Sequence, residues 1–174
     1  MEFSIDKSIE ILERTPQVLI LLTNNLSTDW TTHNEGGETW SFFVVIGHLI
    51  HGEKTDWMTR IEIILSKGPN KEFRPFDRFA QFEESKGKSM AQLLKEFLAV
   101  RELNLEKLVR LKLTEDDFNK TGTHPKFGAV TLSQLIAAWV VHDLDHISQI
   151  SRVMAKQYKE QCGPWIEYMK ILRQ

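Results

Sequence analysis

Between Leu132 and Val153 the chain repeats a spacing of three and four residues: Leu132, Leu135, Trp139, His142, His146, Gln149, Val153. That period places all seven side chains on one stripe of an α-helix. The stripe is apolar at both ends and carries two histidines at its centre. Such a helix must bury its stripe against other helices, which commits the chain to a helical core. A buried imidazole needs a polar partner. His142 and His146, four residues apart, sit one above the other on the same face. Either they are core histidines with hydrogen-bond partners, or they share one divalent metal. Spacing alone leaves both readings open.

The same periodicity runs through most of the sequence, and no strand-length alternation is bounded by turns. Ile9, Leu12, Val18, Leu19, Leu22 and Leu26 predict a first helix over roughly 4–26. Thr15-Pro16 lies inside it and reads as a cap followed by a first-turn proline, so a kink or restart is expected there. Residues 27–38, with Gly36-Gly37, read as a loop. A second helix over about 39–66 is apolar nearly all round from Phe42 to Ile50, which implies burial on several sides. Residues 67–82 form a connection too long for a simple hairpin, able to cover one end of a bundle. The third helix, about 85–112, turns Met90, Leu94, Phe97, Leu98, Leu105 and Leu108 inward. A loop over 113–130 precedes Thr131, the expected cap of a fourth helix over about 131–159. Gly163-Pro164 then restarts the chain into a short helix, 164–172, offering Trp165, Tyr168 and Leu172 to the bundle. The expected fold is all-α: a four-helix bundle with a short C-terminal helix, one domain over 1–174, in which two long connections permit a non-meandering topology.

Charge and cysteine content narrow the function classes. The net charge is −2, without the basic excess that a nucleic-acid surface needs. No run approaches the length of a bilayer span, and Met1-Glu2-Phe3-Ser4-Ile5-Asp6 lacks the basic start of a signal peptide. Cys162 is the only cysteine, so there is no internal disulfide and no CxxC motif. A cytoplasmic protein with neither nucleic-acid nor membrane partners is the expectation.

Two histidines rarely hold zinc or nickel; a catalytic zinc usually has three protein ligands and an open position. The candidates for a third are His48, His51, His124 and His33. His48 lies in Val44-Val45-Ile46-Gly47-His48-Leu49-Ile50, the most apolar part of the second helix, where Gly47 permits close helix approach. His51 sits one turn on, where the helix becomes polar, and reads as a surface or rim residue. His124 lies in a loop able to fold over either end. His33, in a polar loop, has no expected role.

Trp40-Ser41 to His48, followed by Glu53 and Trp57, resembles the second helix of the DinB-like (DinB/YfiT) metalloenzyme superfamily. So do Phe127-Gly128-Ala129-Val130-Thr131-Leu132, the run from His142 to Ile150, and Gly163-Pro164-Trp165. The resemblance covers nearly the whole chain. It implies an up-down-down-up bundle and a divalent metal, nickel or zinc, bound by His48, His142 and His146. Three imidazoles alone would equally suit copper or iron. Some relatives are thiol-dependent S-transferases, and one related group isomerises maleylpyruvate with a thiol cofactor. The implied chemistry is therefore that of a metal-dependent transferase or hydrolase, with a small-molecule electrophile and a low-molecular-weight thiol as partners. Superfamily membership does not fix chemistry, and the alternative is a non-catalytic metal-binding or stress-response bundle. A homodimer through outer apolar positions of the second and fourth helices is compatible with both.

Metal-ligating histidines usually donate their other N–H to a carboxylate or carbonyl. Asp143 and Asp145 flank the pair, Glu53 follows the second-helix histidine, and Gln149 lies one turn beyond His146 on the same stripe. Arg101 falls on the inner stripe of the third helix, where it would bind a substrate carboxylate or, as the expected reading, form an internal salt bridge. Trp30, Trp40, Trp57 and Trp139 read mainly as core. Cys162 has no neighbours that would activate it. The inner stripes carry no general acid or base besides the histidines, a role an external thiol would make unnecessary.

Overall fold

The computed structural model describes residues 1–173. Four long helical rods make the bundle. They are α1 (Ile5–Thr23), the pair α3 (Phe42–Thr55) and α4 (Trp57–Leu65), α6 (Met90–Arg110), and α8 (Leu132–Lys156). Short helices sit in the connections: α2 (Thr28–Thr32), α5 (Ala80–Glu84) and α7 (Glu115–Phe118). α1 packs on α6 and α8, and α3 packs on the same two helices, so these two rods occupy opposite corners. No helix among the described residues is long and apolar enough to cross a membrane.

The helix starts follow local chemistry. Ser89 and Thr131 each cap a helix through their side-chain oxygen, and Gln92 and Gln134 reach back to complete a capping box in each case. The expected restart at Thr15-Pro16 does not occur. α1 runs through Pro16, and Thr15 Oγ1 donates to the Ile11 carbonyl instead of capping. A proline inside a helix leaves the carbonyl four residues back without its donor. Here that carbonyl is Leu12, and it accepts a 2.7 Å hydrogen bond from Arg101 Nη1.

The second rod departs from its expected form as well. It breaks at Asp56 (φ −114°, ψ −71°), whose N–H still bonds the Gly52 carbonyl. The expected loop of 113–130 contains α7 and a hairpin, β1 (Thr121–His124) against β2 (Gly128–Thr131), in register Thr121 with Thr131. Four-residue strands of this kind are too short to show alternation, which is why pattern reading missed them. The C-terminal segment forms two 3₁₀ turns, Gly163–Tyr168 and Lys170–Arg173. Only Leu172 of its three expected anchors is buried; Trp165 and Tyr168 are exposed. Val141 and Leu144 of α8 are exposed, whereas no large apolar side chain of α3 or α4 is among the exposed ones.

The connection from α4 to α5 is pinned onto the bundle. Lys71 Nζ donates to the carbonyls of Ile63, Ile64 and Ser66, neutralising the C-terminus of α4. The Phe73 N–H bonds the Thr123 carbonyl at 2.9 Å and the Thr123 N–H bonds the Lys71 carbonyl at 2.8 Å. The Phe73 ring fills the space over Gly122, where a Cβ would stand 2.4 Å from it. A second close approach occurs at Gly47, where a Cβ would meet Ser85 Oγ at 2.4 Å. Together these contacts bring Phe76 edge-on against His48 and beside His51.

On the fourth helix, Arg152 holds Glu35 through two hydrogen bonds of 2.7 and 2.9 Å, and Lys156 adds an ion pair at 3.0 Å. The Arg152 bonds, with Lys156, hold the Glu35 carboxyl down at about 2. A carboxyl depressed by folding stabilises above its ordinary pKa, and that contribution fades as pH falls toward the folded value. Glu35→Gln is therefore expected to cost about 1–2 kcal/mol at neutral pH, discounted for a partly solvated pair. In urea titrations the difference from wild type should stay level from pH 8 to 5 and shrink below about 4.5. A difference of unchanged size at pH 3 would contradict the assignment.

Candidate metal centre

His48 enters from α3, and His142 and His146 enter from adjacent turns of α8. His142 Nε2 lies 3.1 Å from His48 Nε2 and 3.1 Å from His146 Nε2. The three nitrogens converge on one point. Two ligands at 2.0–2.1 Å from a tetrahedral zinc stand about 3.3 Å apart, so the observed separations suit one ion.

The hydrogen-bond inventory points the same way. His146 Nδ1 lies 2.7 Å from Gln149 Oε1, an acceptor only, so the proton is on Nδ1 and the Nε2 lone pair is free. His142 Nε2 would then have to donate to His146 while also meeting His48 Nε2, and one N–H cannot serve both. His48 Nδ1 and His142 Nδ1 are buried without a hydrogen-bond partner among the described residues. Three neutral imidazoles thus cannot satisfy one another, whereas a cation would use all three Nε2 lone pairs at once. Burial, reinforced by the neighbouring imidazoles, holds His48 down at about 3 and His142 at about 2. Burial also lowers His146, partly offset by Gln149 and by nearby Asp145 and Asp143. At neutral pH all three are unprotonated, the state a metal requires.

The other expected neighbours of the histidines are arranged differently. Neither Glu53 nor Asp143 hydrogen-bonds an imidazole among the described residues. They flank Arg101 in one buried cluster: Arg101 Nη2 to Glu53 Oε1 at 2.9 Å, Nη1 to Asp143 Oδ2 at 2.6 Å and Nη2 to Asp143 Oδ1 at 3.0 Å. Asn104 Nδ2 and Trp139 Nε1 donate to the Glu53 carboxylate as well, each at 2.9 Å. Burial pushes Glu53 above its ordinary range, and Arg101 and Asn104 oppose that push. Burial would pull Arg101 down, but Glu53 and Asp143 outweigh it and hold the guanidinium charged. Arg101 is 1 % exposed, and both of its terminal nitrogens are engaged in the internal salt bridges to Glu53 and Asp143. The cluster ties α1, α3, α6 and α8 together, with Asp143 next in sequence to His142.

His51 also departs from expectation. It is buried, with Nδ1 3.1 Å from both oxygens of Glu84 on α5. The early polar residues of the following turn suggested exposure, but α5 folds over that face. His33 Nδ1 bonds its own helix at the Asp29 carbonyl, away from the histidine cluster.

The three histidines open into a cleft of about 490 Å³. Trp40, Trp57 and Phe76 give it apolar walls, and Asp56, Arg60, Arg78, His124 and Asp145 supply its polar lining. Trp57 stacks on Trp139 and presents an edge to His142. Asp56 is the residue that reading by stripes missed. The break between α3 and α4 places it on the cleft, paired with Arg60 Nη2 at 2.7 Å. Burial pushes its carboxyl up to about 6, against the pull of Arg60 and His51. Its one sequence signal is that aspartate favours helix starts, so it could have marked a break in the second helix.

A family model of the DinB superfamily matches residues 11–150. The chain belongs to the DinB superfamily. A solved structure, YfiT from Bacillus subtilis, shares the fold with a TM-score of 0.73 at 21% identity, over 90% of each chain. That protein is described as a probable metal-dependent hydrolase with an unusual four-helix bundle topology. No curated protein matches the chain. This DinB-superfamily bundle therefore carries a three-histidine cluster suited to a divalent metal, among described residues that offer no other comparable group.

Proposed function

We propose that this DinB-superfamily protein is a metal-dependent enzyme whose His48, His142 and His146 hold one divalent ion, zinc or nickel, and that it hydrolyses a small molecule. The carrying observation is the convergence of the Nε2 atoms of three neutral imidazoles at an open cleft, with Gln149 fixing the tautomer of His146. Bound there, the ion supplies Lewis-acid polarisation of an oxygen or sulfur group. Asp56, held at about 6, accepts or returns a proton near neutral pH. Arg60 keeps that carboxyl in place at 2.7 Å. Trp40, Trp57 and Phe76 exclude bulk water from the reacting groups. The description of YfiT supports the hydrolytic reading.

Thiol transfer is the second reading. The cleft lining contains no serine, threonine or cysteine among the described residues, so a covalent route needs a nucleophile from outside. A low-molecular-weight thiol would supply it and a small electrophile would accept it. A cytoplasmic location and a homodimer using Val141 and Leu144 are compatible with either reading.

Elemental analysis of untagged protein, beside His142→Ala, tests the proposal. Near-stoichiometric zinc or nickel in wild type, lost in the variant, is the expected result. Wild type that is metal-free and takes up neither added ion would overturn it, leaving the histidines as core polar groups.

A further inference from the structure

The charged lining of the histidine cleft is not balanced by contacts. Arg60 is occupied by Asp56 at 2.7 Å. Asp145, on α8, lines the cleft next in sequence to His146. Arg78 has no ion-pair or hydrogen-bond partner among the described residues, yet lines the same cleft as His48. An arginine fork without a carboxylate beside a concave apolar site is a ready receptor for one.

His124 adds a donor of fixed identity. Its Nδ1 accepts the backbone N–H groups of Lys126 at 3.1 Å and Phe127 at 3.2 Å, from the turn between β1 and β2. The ring proton therefore resides on Nε2, which has no hydrogen-bond partner among the described residues. Phe127 stacks on the ring at 4.5 Å and Phe73 meets it edge-on, so its orientation is set by packing.

We propose that this cleft selects small organic carboxylates, whose carboxylate is held by the Arg78 guanidinium and the His124 Nε2–H while the rest of the molecule faces the three histidines. The inference rests on the metal-centre reading above and gives its substrate a chemical class. Trp40, Trp57 and Phe76 contact the carbon chain. Asp145, on the α8 side of the cleft, repels a second carboxylate there.

The test uses cobalt(II)-loaded protein, wild type and Arg78→Gln, at low ionic strength. Two probes of like size are titrated, 3-mercaptopropionate and 2-mercaptoethanol, and followed by the cobalt visible spectrum. Wild type is expected to bind the acid about tenfold more tightly than the alcohol, as one charge-assisted contact allows. In Arg78→Gln that preference should fall below about threefold, with the alcohol unchanged. Equal binding of both probes by wild type, or a preserved preference in the variant, would overturn the proposal. Failure to take up cobalt would instead sink the metal reading. In that case propionate quenching of tryptophan fluorescence in the metal-free protein decides: quenching lost in Arg78→Gln supports the carboxylate site, and quenching absent from wild type or retained in the variant refutes it.

Discussion

Arg101→Met is expected to destabilise the protein by about 3–5 kcal/mol, the cost typical of breaking a buried ion pair from one side. Glu53 and Asp143 would remain as two carboxylates, 3 % and 0 % exposed, without their cation. The Leu12 carbonyl would lose its donor too, because Pro16 supplies none. For a chain of this length such a loss lowers Tm by roughly 6–20 °C. Urea denaturation at pH 7 measures it directly. A change under about 1 kcal/mol would show that the cluster is not what holds these four elements together.

Replacing the whole cluster separates the charge effect from the packing effect. Arg101→Met combined with Glu53→Gln and Asp143→Asn leaves shapes similar and removes every charge of the cluster. Much of the lost stability should return, since buried ion pairs often contribute little net energy against neutral groups of similar volume. The Glu53 amide would keep an oxygen for the Trp139 Nε1–H, now 2.9 Å from Oε1. If the triple variant is no more stable than Arg101→Met alone, the guanidinium matters through its contact with Leu12 and its stacking over Phe97 and Trp139 rather than through charge.

How much of this was legible in the sequence depends on how local the cause is. The stripe from Leu132 to Val153 and the cap at Thr131 were readable because helix periodicity and capping act within a few residues. His48 stood out as a polar residue in an apolar helix segment, and Gln149 as a polar residue on the histidine stripe. The buried cluster was not legible as a cluster: Glu53, Arg101 and Asp143 lie on three helices, and only packing decides that they meet each other and not the imidazoles. Pro16 misled for a related reason. Its unsatisfied Leu12 carbonyl would favour a break in an isolated helix, but Arg101, 89 residues on, supplies the missing donor. Asp56 reaches the cleft through the break between α3 and α4, and Arg78 through the connection between α4 and α5 that packs against His48, and helix periodicity marks neither.

Saturating zinc is expected to raise Tm by roughly 8–16 °C, and His142→Ala to abolish the rise. An ion at a thousand times its Kd stabilises the folded state by about 4 kcal/mol, and each kcal/mol moves Tm of a chain this size by about 2–4 °C. Folding has already placed two of the three Nε2 pairs at 3.1 Å, and burial has kept these imidazoles unprotonated, so little of the binding energy is spent on organising them. Gln149→Ala should keep the fold but weaken zinc by about 10–100-fold, because His146 Nδ1 would lose the acceptor that directs its other lone pair to the ion. Differential scanning fluorimetry across a zinc titration reads all three proteins. A rise of equal size in His142→Ala would mean that zinc binds elsewhere. An unchanged midpoint in Gln149→Ala would mean that the 2.7 Å bond to Oε1 does not set the tautomer of His146. The expected order of zinc affinity, wild type above Gln149→Ala above His142→Ala, follows only if the nitrogens that converge in the cleft are the ones that hold the metal.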